Sequence, residues 1–246
     1  MHGAGNDFIV TKNLPAEWSR EEIGAICARR TAVGADGLIE VRKKQEGHIA
    51  MRYFNADGGE ASFCGNGARC AIYFAALEGW IGKEGRLFFQ DGQRDFEYEG
   101  SDKIAVEFPI QGELHTWQEG HFIDTGSPHV CIQLPAGQLD SFPVDKKARP
   151  IRHDADFEAG GGTNVNFYEK KGNRIRMRTF ERGVEAETLA CGTGTVAVGL
   201  VARTLFPELG DRIEIEAPGG LLEVEKRDNY WLTGPSRVVY EAELQS

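Results

Sequence analysis

The 246-residue sequence is short of cysteine: it has five, Cys27, Cys64, Cys70, Cys131 and Cys191. An odd, sparse set in a chain large enough to do without covalent staples points to thiols in a reducing compartment, not to a disulfide framework. The spacing Cys64-x5-Cys70 is not that of a zinc knuckle and the other cysteines stand alone, so no metal is expected. There is no apolar run of 18 residues to cross a bilayer, and the opening MHGAGNDFIVT lacks the basic and apolar blocks of a signal peptide. The expectation is a cytoplasmic protein with no membrane partner. Positive charge is scarce too: 28 Lys and Arg against 38 acidic residues, a net charge of −10, argue against nucleic acid as a partner. The 41% apolar content is enough for a core, and the length exceeds the about 100–200 residues of a usual domain, which allows one large domain or two smaller ones.

What is present occurs twice. IAMRYF (49–54) and IRMRTF (175–180) share Ile-x-Met-Arg-x-Phe at an offset of 126, and RLFFQDGQRDFEYE (86–99) lies over RIEIEAPGGLLEVE (212–225) at the same offset. Within GADGLIEVRKK (34–44), residues 35–44 lie over GTNVNFYEKK (162–171) at 127, and Cys64 and Cys191 are also 127 apart, with one residue inserted between Phe180 and Cys191. The preserved order marks a tandem duplication. Each half reads as several strands plus a central helix that starts at Cys-Gly-x-Gly, the first ending near Gly79 and the second near Pro207 and Gly210. The fold class is therefore α+β in two similar domains, with 111–120 as the crossing between them.

A cysteine at a helix start has a physical consequence. The first turn exposes unpaired N–H groups and the positive end of the helix dipole, which lowers a thiol pKa from about 8.5 into a range of about 3.5–7.5 in favourable surroundings. Gly65-Asn66-Gly67 and Gly192-Thr193-Gly194 carry little bulk, leaving those N–H groups open to an anion such as a carboxylate. Two such halves facing each other would set one sulfur on either side of an α-carbon, an arrangement suited to stereoinversion without a cofactor. One thiolate would remove the α-proton, and the opposed thiol would deliver a proton to the other face. Cys27, Cys70 and Cys131 lack this context and read as small buried hydrophobes.

These residues lie in segments that resemble the diaminopimelate epimerase family: HGAGNDF (2–8), GADG (34–37), FNADGGEASFCGNGARC (54–70), GSPH (126–129), TNVNF (163–167) and ERGVEAETLACGTGT (181–195). The resemblance spans nearly the whole chain. It implies cofactor-independent interconversion of LL- and meso-2,6-diaminopimelate, a step toward lysine and peptidoglycan precursors, and two domains each with a barrel-like mixed sheet around a central helix. The domains would be 1–113, completed by a last strand around VVYEAEL within about 236–246, and 114–235. It also implies an amino-acid substrate and a homodimer.

Carried over residue by residue, the catalytic cysteines fall on Cys64 and Cys191 and the carboxylate cradle on Gly65, Asn66, Gly192 and Thr193. Glu181 would hold the reacting ammonium, and His129 would stand close to the reacting centre. Asn6, Asn55, Asn164 and Arg182 match polar substrate contacts, Arg182 supplying the forked donor a distal carboxylate needs. Two positions depart from the family pattern. Ser127 stands where Asn is frequent, removing an amide contact, and Gly37 where some members carry Gln. Both touch the end of the pocket that reads the distal half of the substrate. The chain also starts a few residues short of the usual beginning, which would shorten the first strand.

Two motifs are set aside. Asp124-Thr125-Gly126 matches the aspartic protease pattern, but a duplicated chain of that kind would carry a second copy, and none is present. GTGTVA (192–197) fits a dinucleotide fingerprint, but its twin GNGARC breaks it. Besides diaminopimelate epimerase activity, two readings stay open: a racemase of proline, hydroxyproline or histidine on the same scaffold, and a thiol redox or ligand-binding protein using Cys64 and Cys191 as a reversible disulfide.

Overall fold

The computed structural model describes residues 1–61, 63–110 and 112–243. The chain forms two compact units, Met1–Val106 joined by the C-terminal stretch from Gly234, and Glu107–Thr233. The passage from one to the other falls inside a strand, Ile104–Phe108, ahead of the boundary placed at 113/114 from sequence. Of the expected crossing 111–120, Gln111 lies outside the described residues.

In the first unit β1 (His2–Gly3), β2 (Asn6–Thr11), β3 (Gly37–Lys43), β4 (Ile49–Asn55), β5 (Glu60–Ala61), β6 (Glu84–Phe89), β7 (Gly92–Tyr98) and β8 (Ile104–Phe108) make a mixed sheet, accompanied by α1 (Arg20–Cys27) and α2 (Gly65–Leu77). The pairs β2–β3 and β4–β6 are parallel, and the other neighbours antiparallel. A parallel step needs a crossover connection. Here α1 joins β2 to β3 and α2 lies between β4 and β6.

The second unit repeats this plan with β9 (His115–Trp117), β10 (Gly120–Asp124), β11 (Pro128–Gln133), α3 (Val144–Arg152), β12 (Asn164–Lys171), β13 (Arg174–Glu181), β14 (Ala186–Thr188), α4 (Gly192–Leu205), β15 (Arg212–Ala217), β16 (Gly220–Lys226) and β17 (Tyr230–Gly234). Its parallel pairs, β11–β12 and β13–β15, are again those spanned by helices, α3 and α4. The sequence repeats thus map onto β3, β4, β6–β7 and their counterparts β12, β13, β15–β16.

Each sheet curves round one helix. The α2 helix touches β1 to β4 and β7, and α4 touches β10 to β13, β15 and β16. That explains why both helices are buried on nearly every side over their first turns rather than along one stripe. The opposite face of each sheet is covered by the shorter helix. Ile23 and Cys27 of α1 pack on Leu38 and Phe54, and Val144 and Ala148 of α3 on Val165, Phe167 and Phe180. Strands β3 and β12, covered on both faces, are buried continuously over Gly37–Val41 and Asn164–Glu169. By contrast β15 alternates, with Ile213, Ile215 and Ala217 inward and Arg212, Glu214 and Glu216 outward.

Helix ends follow local chemistry. Ser19 caps α1 in a reciprocal capping box with Glu22. The α2 helix ends in a Schellman turn, Gly79 N–H to Ala76 and Trp80 N–H to Ala75, with Gly79 in the left-handed region at φ +67 that favours glycine. Pro207, which has no N–H to give, stops α4.

One expectation is corrected. Residues 238–243 form no strand, and Leu244 lies outside the described residues. Pairing stops at Arg237, whose N–H and C=O both bond to His2, because β1 offers only His2 and Gly3 as a partner edge. Val238, Val239 and Tyr240 are exposed.

A close helix–sheet approach in the second unit yields a prediction. A Cβ on Gly199 of α4 would stand 2.7 Å from Val224 Cβ and Cγ1 in β16. Gly199→Ala should therefore cost about 1–3 kcal/mol of unfolding free energy. Combined with Val224→Ala it should cost less than the sum of the single changes. Urea denaturation of the four proteins checks this, and simple additivity would contradict it.

Candidate active site

Both cysteines are helix N-caps with extended backbone, Cys64 at φ −137, ψ 118 and Cys191 at φ −113, ψ 114. Their carbonyls accept the first helical bonds, from Ala68 N and Thr195 N at 2.8 Å each. The structure thus puts the same residue at the same place in each unit. The cradle residues Gly65, Asn66 and Gly192 are buried in the first turns, with Thr193 partly exposed.

In the first unit Cys64 Sγ accepts from Gly67 N at 3.5 Å and approaches Asn6 Oδ1 at 3.8 Å. Asn6 joins a chain of directional bonds. Arg69 Nη2 donates to Asn66 Oδ1 at 2.8 Å, Asn66 Nδ2 to Asn6 Oδ1 at 3.3 Å, and Asn6 Nδ2 to Asp36 Oδ2 at 2.8 Å. Asp36 in turn is held by Arg29. Asn55, at the exposed end of β4, is not joined to this chain, and its Oδ1 accepts from Tyr53 Oη at 2.9 Å.

The second unit surrounds its cysteine differently. Cys191 Sγ lies 3.4 Å from Thr193 Oγ1, which is 2.9 Å from His129 Nε2. His129 Nδ1 meets Asn166 Nδ2 at 3.2 Å. Asn166 is oriented by its other contacts, since its Nδ2 also donates to Val130 O and its Oδ1 accepts from Thr179 Oγ1. Nδ1 is therefore an acceptor and the proton sits on Nε2, so the imidazole donates toward Thr193. Thr193 is anchored further by its carbonyl, which accepts from Thr125 Oγ1 at 2.9 Å. Burial pushes the His129 pKa down to about 3, with the charge of Arg182 acting in the same direction. At neutral pH the ring is uncharged.

Of the remaining expected residues, Asn164 donates to Ser127 Oγ and Pro128 O, both at 2.9 Å, and its Oδ1 accepts from Arg182 N at 2.9 Å. Arg182 Nη1 donates to Gly160 O at 2.7 Å and Gly162 O at 3.4 Å, and its Nε and Nη2 have no hydrogen-bond partner among the described residues. Glu181 Oε1 accepts from Thr188 Oγ1 at 2.5 Å. The structure thus links Cys191, Thr193, His129, Asn164 and the Arg182 backbone, with Ser127 Oγ, 3.1 Å from His129 Nε2, as a bridge.

Sequence reasoning missed Asn166, Thr179 and Arg69. The signal for Asn166 was available: Asn164-Val165-Asn166 puts two amides on one face of a strand. The third residue of each Gly-x-Gly has a packing reason as well. A Cβ on Gly194 would lie 2.6 Å from Asn166 Oδ1 and 3.2 Å from His129 Cε1, and one on Gly67 would lie 2.9 Å from Ile39 Cδ1, so these glycines admit the neighbouring strand. Gly37 is likewise fixed by packing, since a Cβ would stand 2.7 Å from the Tyr53 ring. Asp124-Thr125-Gly126 is a tight turn closed by Gly126 N on Asp124 Oδ1, with Gly126 at φ +97. The other three thiols are buried, and desolvation raises Cys27 to about 11 and Cys131 to about 12 and also pushes Cys70 up.

The sequence profile of the family described as diaminopimelate epimerase matches residues 1–108 and 121–239. The chain belongs to the diaminopimelate epimerase family. Relatives of that name include those of Chlorobaculum tepidum, 39% identical over 99% of this chain and 99% of its own length, and Aquifex aeolicus, 37% identical over 99% and 96%. The relative from Archaeoglobus fulgidus is 35% identical over 100% and 95%. As a member of this family the chain is an isomerase of the epimerase class. The fold is shared with a phenazine biosynthesis protein of the PhzF family from Enterococcus faecalis (TM-score 0.68, 15% identity, 96% of this chain and 92% of that one). It is shared also with a hydroxyproline epimerase from Agrobacterium vitis (TM-score 0.62, 12% identity, 95% and 87%). No helix among the described residues is long and apolar enough to cross a membrane.

The second unit carries a neutral histidine beside its cysteine cap, and that has a pH consequence. A histidine whose folded pKa is about 3, against about 6.5 unfolded, binds fewer protons folded than unfolded between those values. Its contribution is therefore a loss of stability as pH falls below about 6.5, flattening near 3. His129→Gln should show a shallower decline in melting temperature between about pH 6 and pH 4. Nitrogen-15 NMR of labelled histidine should show His129 neutral and protonated on Nε2 at about pH 5. An imidazolium there would contradict the assignment.

Proposed function

We propose that the chain interconverts LL- and meso-2,6-diaminopimelate, with Cys64 and Cys191 as the two bases acting on one α-carbon and with no cofactor. The observation that carries this is the pair of cysteines at the N-caps of equivalent helices, each followed by Gly-x-Gly, in a member of the diaminopimelate epimerase family. The names of the relatives support diaminopimelate as the substrate, and with it a place in lysine biosynthesis.

In the forward direction one thiolate takes the α-proton, the C–H bonding pair passes into the carboxylate as an enediolate, and the other thiol gives its proton to the opposite face of the carbon. The reverse reaction exchanges the roles. The first-turn N–H groups of α2 and α4, including those of Gly65, Asn66, Gly192 and Thr193, meet the charge that develops on the carboxylate. Glu181 would take the reacting ammonium. Arg182 would take the distal carboxylate through its two uncommitted donor groups, with Asn6, Asn55 and Asn164 as further polar contacts. His129 would act through the Thr193 hydroxyl, which it orients toward the sulfur of Cys191. A racemase of proline, hydroxyproline or histidine is the second reading, supported by the fold shared with the hydroxyproline epimerase and by Ser127, which fills its place in the pocket with a hydroxyl bound to Asn164.

Incubation with LL-diaminopimelate in heavy water should give meso product carrying deuterium at the inverted carbon. Cys64→Ala and Cys191→Ala should each lower turnover by about 10³-fold or more, the upper part of the range for loss of a general acid or base. Proline, hydroxyproline and histidine should not exchange. Exchange with one of these and none with diaminopimelate would move the assignment to the second reading, and undiminished turnover in either cysteine variant would remove the two-base mechanism.

A further inference from the structure

Arg69, five residues after Cys64, is the largest fully buried side chain of the first unit, at 0% exposure. Its donors reach only neutral acceptors: Asn66 Oδ1 at 2.8 Å, Gly65 O at 3.4 Å and Pro235 O at 3.4 Å. Among the described residues no carboxylate pairs with it. Burying an unpaired guanidinium costs several kcal/mol, so it either neutralises or finds negative charge nearby. Burial holds its pKa down to about 10, against the pull of Cys70 and Cys64, so it is a cation at neutral pH. Of these two sulfurs Cys70 is fully buried, pushed up by desolvation and bonded by Ser236 Oγ, which leaves Cys64, half-exposed at the helix start, as the group able to carry the opposing charge.

The surroundings are shaped for this residue. A Cβ on Gly3 of β1 would stand 2.8 Å from Asn66 O and 3.4 Å from Arg69 Nη2, so glycine there makes room for the guanidinium. The second unit has no such cation, since five residues after Cys191 stands Val196, fully buried. Arginine is also an obligate donor. Its bond fixes Asn66 Oδ1, which turns Asn66 Nδ2 to Asn6 and leaves Asn6 Nδ2 for Asp36.

We propose that Arg69 is a positioning residue of the first half-site, which fixes the Asn66–Asn6 pair and stabilises negative charge on Cys64. The inference rests on Cys64 being one of the two bases. Several charged and titratable groups lie near Cys64 among the described residues. Arg69 and Cys70 share its helix, Asp36 lies behind Asn6 and is paired with Arg29 together with Asp7, and the Met1 ammonium faces Cys70 and Asp7. The Asn6 carbonyl oxygen favours the thiol, but at 3.8 Å from Sγ that contact is weak beside a formal charge in a water-poor interior.

Iodoacetamide alkylation followed by peptide mass spectrometry, from about pH 5 to about pH 9.5, reads the thiolate at Cys64 and Cys191 separately. Arg69→Gln should raise the Cys64 inflection by about one pH unit or more, an about tenfold loss of thiolate at a pH below the inflection. Arg69→Lys, which keeps the charge, should restore most of it, and Cys191 should not move in either variant. An unchanged Cys64 inflection in folded Arg69→Gln, or equal movement of both cysteines, overturns the proposal. Should Arg69→Gln fail to fold, carboxylates placed at the two helix starts decide. Between about pH 3 and pH 6, the melting temperature of Cys64→Asp should rise more, relative to Cys64→Ser, than that of Cys191→Asp relative to Cys191→Ser. Equal rises overturn it. Neither readout requires turnover, so failure of the epimerase assay and failure of this coupling are separate results.

Discussion

The N-terminal turn of a helix enclosed by its own sheet is the constraint on which the rest depends. Such a turn has N–H groups without intrahelical partners, and in a buried setting each needs an acceptor. Serine, aspartate or asparagine at the cap would supply one, and replacing such a cap typically costs about 1 kcal/mol. Both units instead place cysteine there. Cys64 accepts a long cap bond from Gly67, and Cys191 makes no side-chain cap bond. The cap gives up helix stability, which the burial of α2 and α4 makes up; in the proposed chemistry the first-turn donors serve the substrate carboxylate instead, and the sulfur its α-proton.

Duplication copied this backbone arrangement without copying its support. Where α4 is approached by Asn166, the equivalent strand position facing α2 is Ile39, and where α2 carries Arg69, α4 carries Val196. One cysteine cap is therefore backed by a buried cation and an amide chain, the other by neutral groups that end in a threonine hydroxyl. The two thiols are thereby given different surroundings, although the helix starts that carry them are alike.

The repeats, both cysteine caps and the strand pairs on each Gly-containing turn were legible in the sequence because each leaves a local pattern: an alternation, a glycine at a turn, a short motif at fixed offset. The buried partners were less so. Arg69 sits in an otherwise small and apolar helix start, Gly-Asn-Gly-Ala-Arg-Cys, where a single charge reads as surface decoration unless the sheet is known to close over it. Thr179 and Asn166 meet across antiparallel strands, a pairing fixed by register rather than by either residue's neighbours. The C-terminal strand failed for a related reason. The apolar run Val238-Val239-Tyr240 has the composition of a strand, but pairing requires an edge to bond to, and β1 ends the supply at His2.

The neutral state of His129 narrows what the surroundings of Cys191 can do. Forming an imidazolium in a fully buried pocket with its pKa near 3 is unfavourable by several pH units at neutrality, and Nδ1 is already committed as an acceptor. The ring is thus poorly suited to take the proton that leaves a sulfur. It can hold its Nε2–H on Thr193, and a hydroxyl that has accepted one bond has its own hydrogen left to give to Cys191 Sγ. In the proposed chemistry the proton inventory therefore stays with the two sulfurs and the substrate carbon, and the histidine contributes a fixed dipole rather than a third exchangeable site.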